Sequence, residues 1–134
     1  MAAYSQDYIK RMLEQIGEAW AEVVALLRQN DTARAIERLD QAYRELVHLD
    51  RDLVHKTSED FLILATTVGK VGDVDRSLAL ADLLRIEAEI HEHAGETEQR
   101  NTCLFKAINV LAEASLRLNH ASSQEHVDRI AQLA

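Results

Sequence analysis

The sequence has no proline, only four glycines and a single cysteine in 134 residues. So little proline and glycine leaves it without the turn chemistry that a fold of many short strands requires. The lone thiol, Cys103, excludes an internal disulfide, and a reducing compartment is the expected setting. Glu, Asp or Arg interrupts every apolar stretch before it nears the roughly 18 residues needed to cross a bilayer. Residues 1–10 show no basic segment followed by an apolar one, so the chain reads as cytoplasmic and free of membrane. Basic charge is also scarce, with 15 Lys and Arg against 23 Asp and Glu for a net charge of −8. That balance argues against a protein whose affinity depends on neutralising phosphates, and no nucleic-acid partner is expected. A Gly-rich phosphate loop, a zinc-spaced cysteine pair, a His-Glu-x-x-His and a nucleophile elbow are all missing. The chain is therefore read as non-enzymatic, with no cofactor.

What is present favours helix. Ala occurs 19 times and Leu 18 times, and apolar residues make up 47% of the chain, enough for one globular domain over residues 1–134. From Gln6 to Arg28, apolar residues recur in steps of three and four at Tyr8, Ile9, Met12, Leu13, Ile16, Trp20, Val23, Val24 and Leu27, with Ala19 at a close contact. Gln29-Asn30-Asp31-Thr32 ends this helix, with Asn30 in a left-handed conformation and Asp31 or Thr32 capping the next. The second segment begins at Ala33 and packs back on the first as an antiparallel hairpin. Its pattern is Ala35, Ile36, Leu39, Ala42, Tyr43 and Leu46, and the periodicity favours helix continuing to about Val54. Thr57 or Ser58 then caps a short helix bearing Phe61, Leu62, Leu64, Ala65 and Val68, which Gly69 and Gly72 end. A helix from Asp73 or Asp75 to about Ala94 is apolar on nearly every side at residues 78–84, which places it at the centre. Gly95 terminates it and Thr97 starts another, which stops at Asn119-His120-Ala121. Ser122 and Glu125 form a capping box for a last short helix. The fold class is all-α, five to six antiparallel helices in an array or bundle.

Two of the turns resemble each other. Asn30-Asp31-Thr32 and Gly95-Glu96-Thr97 each place an acid and a Thr after the turn residue, and an Ala follows twelve residues later, Ala42 or Ala107. This looks like the turn and second helix of a tetratricopeptide repeat, with Gly72-Asp73 as a weaker third copy; Arg100 stands where that repeat has Ala. The opening, Gln6-Asp7-Tyr8-Ile9-Lys10-Arg11-Met12-Leu13-Glu14-Gln15-Ile16-Gly17, is similar to that of a family of short uncharacterised bacterial proteins with a tetratricopeptide-repeat-like fold. The resemblance implies helical hairpins and carries over no activity.

The function that follows from this reading is a protein- or peptide-binding module that self-associates as a homodimer. Tyr8, Met12 and Trp20 on the wide apolar face of the first helix are the candidate partner contacts, although Trp20 on such a stripe is more often core. Arg34 and Arg38, with Arg44 and Lys106, are candidates to select an acidic peptide in a groove between hairpins. The alternative is a metal-binding bundle using His48, Asp52 and His55, whose spacing shares one face if the second helix is unbroken. That trio has no further ligand or orienting shell in the sequence, so no metal is expected. His91 and His93, two residues apart, point in different directions and are read as surface. Carboxylate pairs such as Glu87/Glu89 are read as a solvated face, and Cys103 as packing at the edge of the core.

Overall fold

The computed structural model describes residues 2–58, 62 and 74–133, with side chains described for 7, 10–58, 62 and 76–116. The protein is all-α: among the described residues there are five helices and no strand. They are α1 (Ala2–Arg28), α2 (Thr32–Leu46), α3 (Arg51–Lys56), α4 (Val74–His93) and α5 (Thr97–Leu133). None of the described helices is long and apolar enough to cross a membrane.

The core follows from the periodicity. On α1, Met12, Ile16, Ala19, Val23 and Leu27 are buried in steps of three and four. Ala35, Leu39, Ala42, Tyr43 and Leu46 do the same on α2. The central helix is α4, which packs against α1, α2 and α5. Leu80, Ala81, Leu83, Leu84 and Ile86 are fully buried because neighbours cover this helix on several sides. Ala19, Ala35, Ala42 and Ala107 let the helices approach closely, since a methyl group is all that separates backbone from neighbour.

The two resembling turns have the same hydrogen-bond geometry. Asn30 has φ 58° and Gly95 has φ 75°, both left-handed. The amides of Asn30 and Asp31 bond to the carbonyls of Leu27 and Leu26, each at 2.9 Å. Those of Gly95 and Glu96 bond to Glu92 and His91 at 3.1 and 2.9 Å. This pair of crossed bonds satisfies carbonyls that the helix end would otherwise leave open. The Asp31 carboxylate then accepts from the Arg34 amide at 3.2 Å and caps α2. His93 Nε2 lies 3.2 Å from Asn30 Oδ1, so a side chain preceding the second turn reaches the first.

Elsewhere the chain departs from the periodicity. The second helix does not run to Val54: it ends at Leu46, His48 takes φ 58°, and α3 starts afresh after an extended Asp50. No side-chain cap marks that restart; ion pairs formed by α3 with α2 and α4 set its direction, and these are invisible to a local pattern. The helix from Thr97 does not stop at Asn119-His120-Ala121 but continues to Leu133, so no separate sixth helix follows. Those residues include neither Gly nor Pro, and a capping box cannot end a helix that lacks a breaker. The first helix also starts earlier than expected, at Ala2. Of the expected short helix at 58–68, Leu62 is helical and buried, its amide 3.0 Å from the Ser58 carbonyl. The rest of that segment and the Gly69/Gly72 break lie outside the described residues.

Two expectations test the packing and the turns. Ala42→Leu and Ala107→Leu should each cost about 1–3 kcal/mol in urea melts, because each site is closed by a neighbouring helix. Gly95→Ala should cost about 1–2 kcal/mol through backbone strain alone, as no atom lies within 4 Å of the added carbon. Gly95→Asn should cost less, since Asn tolerates the left-handed region and Asn30 already occupies it.

Candidate functional site

The chemistry gathers around one carboxylate. Glu87 lies on α4 three residues after Leu84 and four after Leu83, on the row of side chains that faces the core, and it is only 3% exposed. Its reading as part of a solvated face with Glu89 is thereby corrected: Glu89 is exposed and Glu87 is not. A buried carboxylate needs partners, and four elements supply them. Tyr43 of α2 donates its hydroxyl to Glu87 Oε1 at 2.9 Å. His55 of α3 places Nε2 at 2.6 Å from Oε2, and Arg51 brings Nη1 to 3.6 Å from the same oxygen. His91, one turn further along α4, has Nε2 3.7 Å from Oε2. The Cys103 sulfur of α5 completes the group: the ligand atoms of His55, Glu87 and Cys103 all lie within 4.8 Å of one another.

Burial by itself would push the Glu87 pKa up, but the hydrogen bonds and charges of His55, Tyr43 and Arg51 outweigh it and hold the carboxyl below its ordinary range. The site is therefore built around an ionised carboxylate. Burial, reinforced by that charge, raises Tyr43 well above the usual phenol value and pushes the Cys103 thiol up to about 12. Cys103 is thus a protonated, buried thiol, not a nucleophile. Arg51 donates Nε to Asp40 at 2.6 Å, and this pairing with Asp40 and Glu87 outweighs burial and holds its proton more tightly than usual. Outside the carboxylate, Lys106 donates to the Thr57 carbonyl at 2.9 Å and ties α5 to the end of α3. A cleft of about 550 Å³ opens over this group, with Asp52 and Glu98 among its lining residues.

The expected trio is divided. His55 joins the site and Asp52 lines its cleft, while His48 stays in the left-handed turn after α2. His91 and His93 do diverge, one toward Glu87 and the other to Asn30, but His91 sits in the cleft with its side chain 20% exposed and is not a simple surface residue. Cys103, expected at the edge of the core, is buried at 2% exposure.

The partner candidates fare differently. Met12 is buried in the core. Trp20 packs partly against the core and carries the Arg85 guanidinium 5.3 Å above its ring. The Tyr8 side chain lies outside the described residues. Arg38 pairs with Glu22 and Arg34 with Asp31, so the groove they line with Glu37 is balanced in charge. Lys106 is buried, and its ammonium is committed to the Thr57 carbonyl. Among the described residues, large apolar side chains are left open at Leu13 of α1 and Leu53 of α3, 59% and 51% exposed, and as a stripe on α5, where Phe105, Ile108 and Leu116 are 67%, 61% and 61% exposed.

Tyr43→Phe removes one charge-assisted hydrogen bond from a buried carboxylate and should cost about 1.5–3 kcal/mol in urea denaturation. A neutral result would mean that Glu87 does not depend on α2 for its partner.

Comparison of the chain with protein-family models, with curated proteins and with solved structures found no match.

Proposed function

We propose that this chain is a non-catalytic helical interaction module, built of tetratricopeptide-like hairpins, that pairs with a second copy of itself through the outer face of α5. The supporting observation is the composition of that face. Between residues 101 and 116 the exposed side chains are Asn101, Thr102, Phe105, Ile108, Ala112, Ser115 and Leu116, and none carries a charge. The chain as a whole is 28% charged with a net charge of −8, so two copies repel each other across most of their surface. A stretch with no fully exposed charge, Glu113 being half-buried and Lys106 buried, is where they meet at least electrostatic cost. Phe105, Ile108 and Leu116 fall on one side of the helix over about 17 Å. Two such stripes laid antiparallel about a two-fold axis match each other, because every contact occurs twice. Phe105 supplies the aromatic anchor.

The roles suggested for Met12 and Trp20 in partner binding give way to this face, since Met12 is used inside the core and Trp20 is partly covered. A groove that selects an acidic peptide is opposed by Glu22 and Glu37, which line it together with Arg34 and Arg38.

Sedimentation equilibrium tests the reading. The wild-type chain should be a dimer, and Phe105→Glu with Ile108→Glu should convert it to a monomer of unchanged helicity, both side chains being largely exposed. A wild-type chain that sediments as a monomer at every concentration overturns the proposal.

A further inference from the structure

We propose that His55, Glu87, His91 and Cys103 form a binding site for a zinc-type divalent transition-metal ion. Three helices, α3, α4 and α5, converge to place one imidazole, one carboxylate and one thiol with their ligand atoms within 4.8 Å of one another. The second imidazole, His91 Nε2, is 3.7 Å from Glu87 Oε2. Tetrahedral zinc with bonds near 2.0–2.3 Å sets its ligand atoms about 3.3–3.8 Å apart, so His55, Glu87 and Cys103 have at most about 1.5 Å to close. His91 already lies at that separation from the carboxylate.

The surrounding groups orient these donors as metal ligands are oriented. His91 Nδ1 faces Glu96 Oε1 at 3.3 Å, which turns Nε2 inward in a carboxylate–histidine arrangement. Tyr43 holds Glu87 Oε1 and leaves Oε2 for the ion. Arg51 Nη1 also lies 3.6 Å from Oε2, but its Nε is committed to Asp40, whose carboxylate meets that charge. The carboxylates of Asp52 and Glu98, at the rim of the cleft, draw cations toward an opening through which His55 and His91 remain partly exposed.

The donor set selects the ion. One thiol and two imidazoles suit zinc, while calcium and magnesium require oxygen ligands throughout. On binding, the Cys103 thiol gives its proton to solvent and its sulfur bonds the ion; the proton that His55 Nε2 shares with Glu87 is released to solvent as well, which leaves the ring hydrogen on Nδ1 and frees Nε2 for the ion. One thiolate and one carboxylate then balance a double positive charge. The sequence-based expectation of no metal rested on His48, Asp52 and His55, a different set. Cys103 and Phe105 are two residues apart and lie on different sides of α5, so the four donors of this site stand apart from the pairing stripe, with Thr102 the one exposed residue of that stretch that lines the cleft.

Chelator-treated protein titrated with Co²⁺, followed by displacement with Zn²⁺, tests the site. The wild type should bind one equivalent, with the intense visible bands of tetrahedral cobalt and a sulfur-to-cobalt charge-transfer band in the near ultraviolet. Zn²⁺ should also raise its melting temperature by several degrees. Cys103→Ser should abolish the charge-transfer band, and His91→Gln should weaken binding at least tenfold with helicity intact. His48→Asn should bind as the wild type does. Should Cys103→Ser fail to fold, His91→Gln still decides, because its side chain is partly exposed. Absence of the charge-transfer band in the wild type, or undiminished binding in His91→Gln, overturns the proposal and leaves the group a polar network that holds the helices.

Discussion

A carboxylate buried inside a helical protein must be surrounded by donors and positive charge, or the chain cannot fold around it; the cost of desolvating an uncompensated ion is several kcal/mol. Glu87 imposes that demand at the middle of α4, and the arrangement of the other helices answers it. Tyr43 reaches it from α2, Arg51 and His55 from α3, and Cys103 lies beside it on α5. The break between α2 and α3 follows from the same requirement. Arg51 pairs at once with Asp40 on the preceding helix and with Glu87, so α3 is directed by both. Lys106 then fastens the far end of α3 to α5 through the Thr57 carbonyl.

Two neighbouring turns are managed by local means. The turns between α1 and α2 and between α4 and α5 each use one left-handed residue and two crossed amide bonds, and His93 joins one turn to the other. These hairpins set α1 against α2 and α4 against α5 through contacts between neighbouring elements of the chain. The central α4, packed on three neighbours, is where local hairpins become one core. That is why its interior can hold a single ionised side chain whose partners come from several elements.

The two proposals draw on opposite sides of α5. Its inner side carries Cys103, Ala107 and Val110 against the core, and its outer side carries Phe105 and Ile108 in solvent. Cys103 is held protonated by burial and by the Glu87 charge, which keeps it inert as a nucleophile while leaving it able to exchange its proton for a metal ion. Zinc bound there would clamp α3, α4 and α5 together, while pairing through the outer side would shield exposed apolar area without disturbing the cluster. Neither role requires catalysis.

The sequence alone determined what is local. Helical periodicity, the left-handed Asn30 and Gly95, the Asp31 cap and the central place of α4 are all written in spacings of a few residues, and each is present in the fold. Even the burial of Glu87 was legible in principle, from its three- and four-residue steps after Leu84 and Leu83. Only the tertiary structure decided which residues meet. Tyr43 and Glu87 are 44 residues apart, His55 and Glu87 are 32, and nothing in a local pattern relates such positions. His48, Asp52 and His55 look like a set because they are neighbours in sequence, but the chain turns at His48 to bring Arg51 and His55 to a carboxylate on another helix. The physical reason is one of range. Propensity and hydrophobic spacing act over a turn or two of helix, whereas a buried charge is compensated by whatever the folded chain brings within a few ångströms of it.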